Sequence, residues 1–137
     1  MVESQLQNIL KLVPYTASVS SVLQKDHKQF GKKHLFDDHE ATCWNSDQGL
    51  PQHITVKFEA KTVIKAFRYM GQGGFCPREV VVYADGKEIT RCEVPDSNFE
   101  QTINLGEGVE VEGVKVEFTK ASDLFGRIIM YKFEILG

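Results

Sequence analysis

The chain has little of the material from which secreted frameworks, metal centres and membrane spans are built. Cysteine occurs three times, at Cys43, Cys76 and Cys92. An odd count with no CxxC pair and no clustered histidine partners argues against both a disulfide framework and a zinc site. It implies free thiols in a reducing compartment. No apolar run approaches the roughly 20 residues of a membrane span. The opening stretch MVESQLQNILKLVPY has no basic start, long apolar centre or small-residue cleavage site, so a secretory signal is not expected. Nor is positive charge in excess. Lys and Arg number 16 against 19 Asp and Glu, a net charge of −3, so nothing global draws the chain to nucleic acid or to an anionic membrane.

Catalytic signatures are missing as well. There is no GxSxG and no glycine loop opening a helix, and His27, His34, His39 and His53 form no HExxH pair. Gly71-Gln72-Gly73-Gly74 reads as a turn that needs positive φ. Asp37, Asp38, Glu40 and Asp47 supply carboxylates, but nothing in their spacing puts two of them across a cleft. Cys43, next to the only tryptophan, reads as a buried and inert thiol. A non-enzymatic protein without cofactors is the expectation.

What is present is a β pattern. The 137 residues, 42% apolar and 26% charged, fit one soluble domain with a real core. Ile54, Val56 and Phe58 alternate with Thr55 and Lys57. Val114, Val116 and Phe118 alternate with Lys115 and Glu117, and Tyr131, Phe133 and Ile135 with Lys132 and Glu134. Period two marks strands with one face in the core. Residues 62–70 and 79–84 are rich in β-branched and aromatic types. Asp85-Gly86 reads as the hairpin turn between 79–84 and 87–94. Pro95-Asp96-Ser97-Asn98 and Gly106-Glu107-Gly108 read as loops. Many short strands without a long helix predict an all-β, antiparallel jelly-roll sandwich over residues 15–137. Before it, Leu6, Ile9, Leu10 and Val13 lie at helical spacing, with Ser4 as cap and Pro14 as stop. Residues 1–14 are therefore expected to be a short helix or ordered arm packed on the domain.

The richest segment is QFGKKHLFDDHEATCWNSDQG, from Gln29 to Gly49. A lone Trp44 behind an apolar pair and an acid looks like a sandwich corner, where one ring anchors the core and polar neighbours bond the turning backbone. Asp37, Asp38, His39 and Glu40 could be read as a calcium site. Their spacing does not match a DxDxDG loop, and a solvated turn with Asp capping backbone amides is the preferred reading. Just upstream, KDHKQFGKKH is locally basic, with Phe30 in its middle. Such a loop can meet an acidic partner, or Phe30 can tuck inward; the residues leave both open. Direct DNA binding is not expected from an acidic chain without a recognition-helix pattern. Phe75, Leu124 and Phe125 sit where loop tips are expected, and each reads equally well as a core plug.

In order along the chain, Leu35-Phe36-Asp37, Thr42-Cys43-Trp44-Asn45-Ser46, Tyr83-Ala84-Asp85-Gly86 and the closing run from Gly126 to Gly137 resemble the discoidin, or coagulation-factor C-type, family. That family belongs to the galactose-binding-like folds. The resemblance implies a jelly roll whose loops gather at one end. The strings QFGKKHLFD, TCWNSDQG, QGGF and DLFGR resemble a small intracellular branch associated with nuclear receptors. This implies a nuclear or nucleocytoplasmic protein that binds a receptor and hinders its DNA binding and transactivation. Relatives that bind calcium place an acid on the last strand about where Lys132 stands here, and a lysine would repel the ion, so structural calcium is disfavoured. The exposed tryptophans of membrane-binding relatives are missing. The expected partner-binding residues are Phe30, Lys32, Lys33, His34, Gln72, Phe75, Phe125 and Arg127. They come from loops 26–34, 46–51, 72–76 and 123–127. A glycan or small-ligand site at the same end, using His34, Asn45 and Arg127, is the alternative, as is a structural subunit of a larger assembly.

Overall fold

The computed structural model describes residues 6–137, so Ser4, the expected helix cap, lies outside the described residues. Seven strands follow in order: β1 (Tyr15–Val19), β2 (Trp44–Asn45), β3 (Gln52–Gly71), β4 (Pro77–Ala84), β5 (Lys87–Glu93), β6 (Glu100–Ala121) and β7 (Ile129–Leu136). All their pairings are antiparallel.

The architecture rests on β3 and β6, which pair in two stretches. Residues 52–57 lie against 113–118, and residues 62–70 against 100–111, with a register break between Lys57 and Thr62. The first stretch continues outward through β1 on one side and through β4 and β5 on the other. The second stretch is flanked by β7, which in turn pairs with β2. The two stretches thus belong to the two layers of a jelly-roll sandwich. Ile54, Val56, Val80, Val82, Val114, Val116 and Phe118 line the core from one layer, and Trp44, Phe67, Tyr69, Phe133 and Ile135 from the other. Trp44 is fully buried, and its ring meets Phe118 across the core at 6.3 Å between centroids. Phe67 stacks on Phe133 at 5.8 Å.

The hairpin expected at Asp85-Gly86 is there, with φ of 49° and 86° at its two residues, as a tight turn between twisted strands requires. Two local expectations change. Gly106-Glu107-Gly108 is not a connecting loop. It bulges within β6, because β3 passes from Ile64 paired with Val109 to Ala66 paired with Asn104. Positive φ at Gly106 (77°) and Gly108 (114°) accommodates the extra residues. Second, Glu134 is not a solvated outward residue. It is 8% exposed, because its cross-strand partner on β3, Arg68, covers it at 2.6 Å. In the N-terminal segment, expected to be a short helix or ordered arm, the described residues carry a 3₁₀ turn at Ile9–Lys11. Asn8 caps it, Gln7 exchanges backbone hydrogen bonds with Gly137, and Ile9 and Leu10 are buried. So short a segment gains more from docking on the end of β7 than from helical hydrogen bonds.

Candidate partner-binding end of the sandwich

The corner after β1 is built by its own polar residues. The Trp44 indole N–H donates to the Ser21 carbonyl at 2.9 Å, fixing the β1 exit against the ring. Asp37 Oδ2 accepts from the Thr42 hydroxyl at 2.6 Å and faces His34 Nδ1 at 3.2 Å. Its Oδ1 accepts from the His39 amide at 3.0 Å. Burial alone would raise the Asp37 pKa, but these bonds outweigh it and hold the carboxyl below its ordinary value. Asp37 therefore closes the turn, and its oxygens are already engaged. Asp38 pairs with Lys11. Lys132 pairs with Glu100 on the outer face of the sheet. Among the described residues, no group of three or more His, Cys, Asp or Glu side chains is arranged to hold a metal ion.

Several loops are tied together at this end. The Asp47 amide donates to Ser21 Oγ at 3.0 Å, and the Gln52 side-chain amide donates to the Asp47 and Gly49 carbonyls at 3.2 and 2.7 Å. Ser46 and Ile128 bond reciprocally, with both distances 2.8 Å. The Gly49 amide reaches the Phe125 carbonyl at 2.8 Å, and the Ile129 amide the Phe75 carbonyl at 3.0 Å. The amides of Gly73 and Gly74 donate to Asn98 Oδ1 and Asp96 Oδ1 at 2.6 and 2.9 Å.

On this frame stands an apolar knob around one cation. The Arg127 guanidinium lies 5.2 Å from the Phe75 ring centroid and 6.0 Å from that of Phe125. Both its backbone N–H and its Nε–H donate to Asp123 Oδ2, at 3.0 and 3.1 Å. Burial pushes the Asp123 pKa up, but the Arg127 bonds win and hold it below the ordinary carboxylate value. Leu124, Phe125 and Leu50 are 91%, 57% and 41% exposed. Gly126, at φ +79°, allows the tight approach: a Cβ there would meet Leu50 Cγ at 3.0 Å and the Gly49 carbonyl carbon at 3.1 Å.

Residues 9–132 match the family described as anaphase-promoting complex, subunit 10 (APC10). The chain belongs to this family. Its curated relatives include the nuclear receptor 2C2-associated protein of Homo sapiens, 40% identical over 132 residues that cover 90% of this chain and 93% of that one. The Danio rerio protein of the same name is 39% identical over 124 residues, covering 87% and 88%. Among solved structures, the family 32 carbohydrate-binding module of C. perfringens NanJ, in complex with galactose, superposes with a TM-score of 0.74 at 14% identity. It covers 90% of this chain and 93% of that one. The F5/8 type C domain of a Bacteroides fragilis protein gives 0.74 at 11% identity, covering 89% and 90%. At such identities the likeness shows the fold, which is the discoidin-type jelly roll expected from the motifs. Among the described residues, no helix is long and apolar enough to cross a membrane.

Within this family member the expected contact residues divide. Phe75, Phe125 and Arg127 come together in the knob, and Lys33 is exposed. Four others serve the fold itself. Phe30 is half-buried against the core. Lys32 donates to the Ala17 carbonyl at 2.7 Å and so covers the outer edge of β1. His34 is 9% exposed, with Nε2 2.9 Å from the Lys28 carbonyl and Nδ1 on Asp37, so it braces the loop and is not presented to a partner. Gln72 accepts from the Tyr131 hydroxyl at 2.7 Å. Sequence reasoning left the 95–98 loop out of the site. Its only signal was Asp96 and Asn98, which read equally well as ordinary turn residues.

Proposed function

We propose that the chain is a non-enzymatic protein-interaction module that associates with a nuclear receptor and hinders the receptor's DNA binding and transactivation. It works in the nucleus or moves between nucleus and cytoplasm. The names of the curated relatives support receptor association. The observation that carries the reading is the knob: Leu50, Leu124 and Phe125 project from mutually bonded loops around a stacked arginine. Apolar side chains held in this way, with an adjacent Arg, have the composition of an interface centre. Rigid loops also lose little conformational freedom on binding.

The test is capture of nuclear receptor 2C2 by the wild-type chain and by a Leu124→Ser/Phe125→Ser double variant, followed by a mobility-shift assay with the receptor's DNA. Capture that the variant loses, with weakened receptor–DNA association, is expected. Absence of capture together with unchanged DNA affinity refutes the reading. A second reading, a structural subunit of a larger intracellular assembly, is favoured by the family match over residues 9–132. Co-purification at fixed stoichiometry with several partners would select it. The glycan reading is not taken further, because His34 and Asn45, two of the three polar side chains it needs, are buried.

A further inference from the structure

A second surface is bordered by the 46–51 loop. Between β1 and the segment carrying α1 (His27–Phe30) runs a cleft of about 540 Å³. Val19 and Val22 line its floor, the latter buried in the core. Its rim carries Lys25, His27 and Lys33, all exposed. Lys25, Lys28, Lys32 and Lys33 thus crowd one short segment of a chain whose net charge is −3. Among the described residues none of the four is in an ion pair. The acid in their midst, Asp26, caps α1 by accepting the Gln29 amide at 3.1 Å. Among the described residues, Asp47 is the one acid lining the cleft.

Two further features bear on this concentration of charge. Like charges held close repel one another, and an anion relieves that repulsion. The backbone also adopts an uncommon shape here: Gln24 and Lys25 both sit at positive φ, 52° and 57°. Side-chain-bearing residues avoid that region unless their surroundings impose it. The Lys25 and Asp26 amides hold it by donating to the Val22 and Leu23 carbonyls at 2.9 and 3.0 Å. The result sets Lys25 on the rim of the cleft.

We infer that this cleft binds an acidic protein segment carrying an aliphatic side chain. Its carboxylates meet Lys25 and Lys33, and the aliphatic group lies over Val19 and Val22. The apolar floor separates this ligand from a nucleic-acid backbone, which gains nothing from valines and is repelled by the acidic remainder of the chain. The inference rests on the protein-interaction reading of this end of the sandwich and names the chemistry of the partner segment.

Fluorescence anisotropy on the intact chain tests it, with three labelled probes: a synthetic glutamate peptide with leucine at every third position, polyglutamate of equal length, and a DNA duplex. The leucine-containing peptide should bind best, and added salt should weaken it. Its affinity should fall about tenfold or more with Lys25→Glu/Lys33→Glu, two exposed positions where charge reversal spares the core. Lys57→Glu, on the outer face of β3, should leave binding unchanged, and Val19→Ser should abolish the preference for the leucine peptide. No peptide binding, equal binding by the Lys25/Lys33 variant, no preference for leucine, or tighter binding of the duplex overturns the inference. Receptor capture that succeeds while the peptide fails sinks the cleft alone. Peptide binding without capture sinks the receptor reading and leaves the cleft.

Discussion

Replacing Arg127 by Ala removes several contacts at once. The two ring contacts, at 5.2 and 6.0 Å, are each worth about 0.5–1 kcal/mol at a partly exposed site. The Nε–H bond to Asp123 at 3.1 Å is lost too, and the Asp123 side chain is only 10% exposed, so a nearly buried carboxylate loses its cation. That alone would cost about 1–3 kcal/mol in a dry site. Because the Arg127 side chain is 31% exposed, solvent screening places it at the low end, about 1 kcal/mol. The sum predicts about 2–3 kcal/mol of destabilisation. Arg127→Lys keeps the charge but not the planar stack, and should cost about 1 kcal/mol. Trp44, the only tryptophan and fully buried, reports unfolding by its fluorescence in a urea titration. A double-mutant cycle with Asp123→Ala should give a coupling of about 1 kcal/mol. If Arg127→Ala lies within about 0.5 kcal/mol of wild type, or the cycle is additive within about 0.3 kcal/mol, the knob is not held by its arginine. The argument for a preformed interface then fails with it.

Gly126→Ala should cost about 1–2 kcal/mol, since it sits at φ +79° and its Cβ would press on Gly49 backbone; thermal melting measures it. Trp44→Phe should cost about 2 kcal/mol, combining lost volume with a Ser21 carbonyl left without its donor, read by circular dichroism since the fluorophore is gone. Asp37 and Asp123 both have folded pKa values below the ordinary 3.8. The stability they contribute is therefore complete above that value and is lost as pH falls through the lower folded values. Asp37→Asn should flatten the acid limb of a stability–pH curve measured by denaturant titration, and an unchanged limb would contradict the role given to its three bonds.

Local rules left clear marks in this chain. Period-two alternation located the core-facing residues of β3 and β6, because those strands each bury one face. Asp85-Gly86 announced its hairpin, because only residues tolerant of positive φ fit a two-residue turn. The Leu35, Asp37 and Trp44 corner was legible because Asp37 serves neighbours close in sequence and a lone large ring beside a β pattern belongs in the core. Gly106-Glu107-Gly108 misled because a glycine cluster has the same composition in a loop as in a bulge. Only the pairing of Ile64 with Val109 and of Ala66 with Asn104 tells them apart.

For the candidate site, the loops were legible but the surroundings of their side chains only in part. Phe75 and Phe125 were expected at loop tips and Arg127 in the loop 123–127, and the structure sets Arg127 over both rings. Phe30, Lys32, His34 and Gln72 have the composition of contact residues, yet each is engaged by an atom elsewhere in the fold: the core, Ala17, Lys28 with Asp37, and Tyr131. The sequence by itself determined the fold class, the strand faces and the corner, because these follow from the backbone's period and from neighbours within a few residues. Only the tertiary structure decided which polar and aromatic loop side chains face outward. That choice depends on partners such as Ala17 for Lys32, or Tyr131 for Gln72, that lie 15 and 59 residues apart along the chain and meet only in the folded structure.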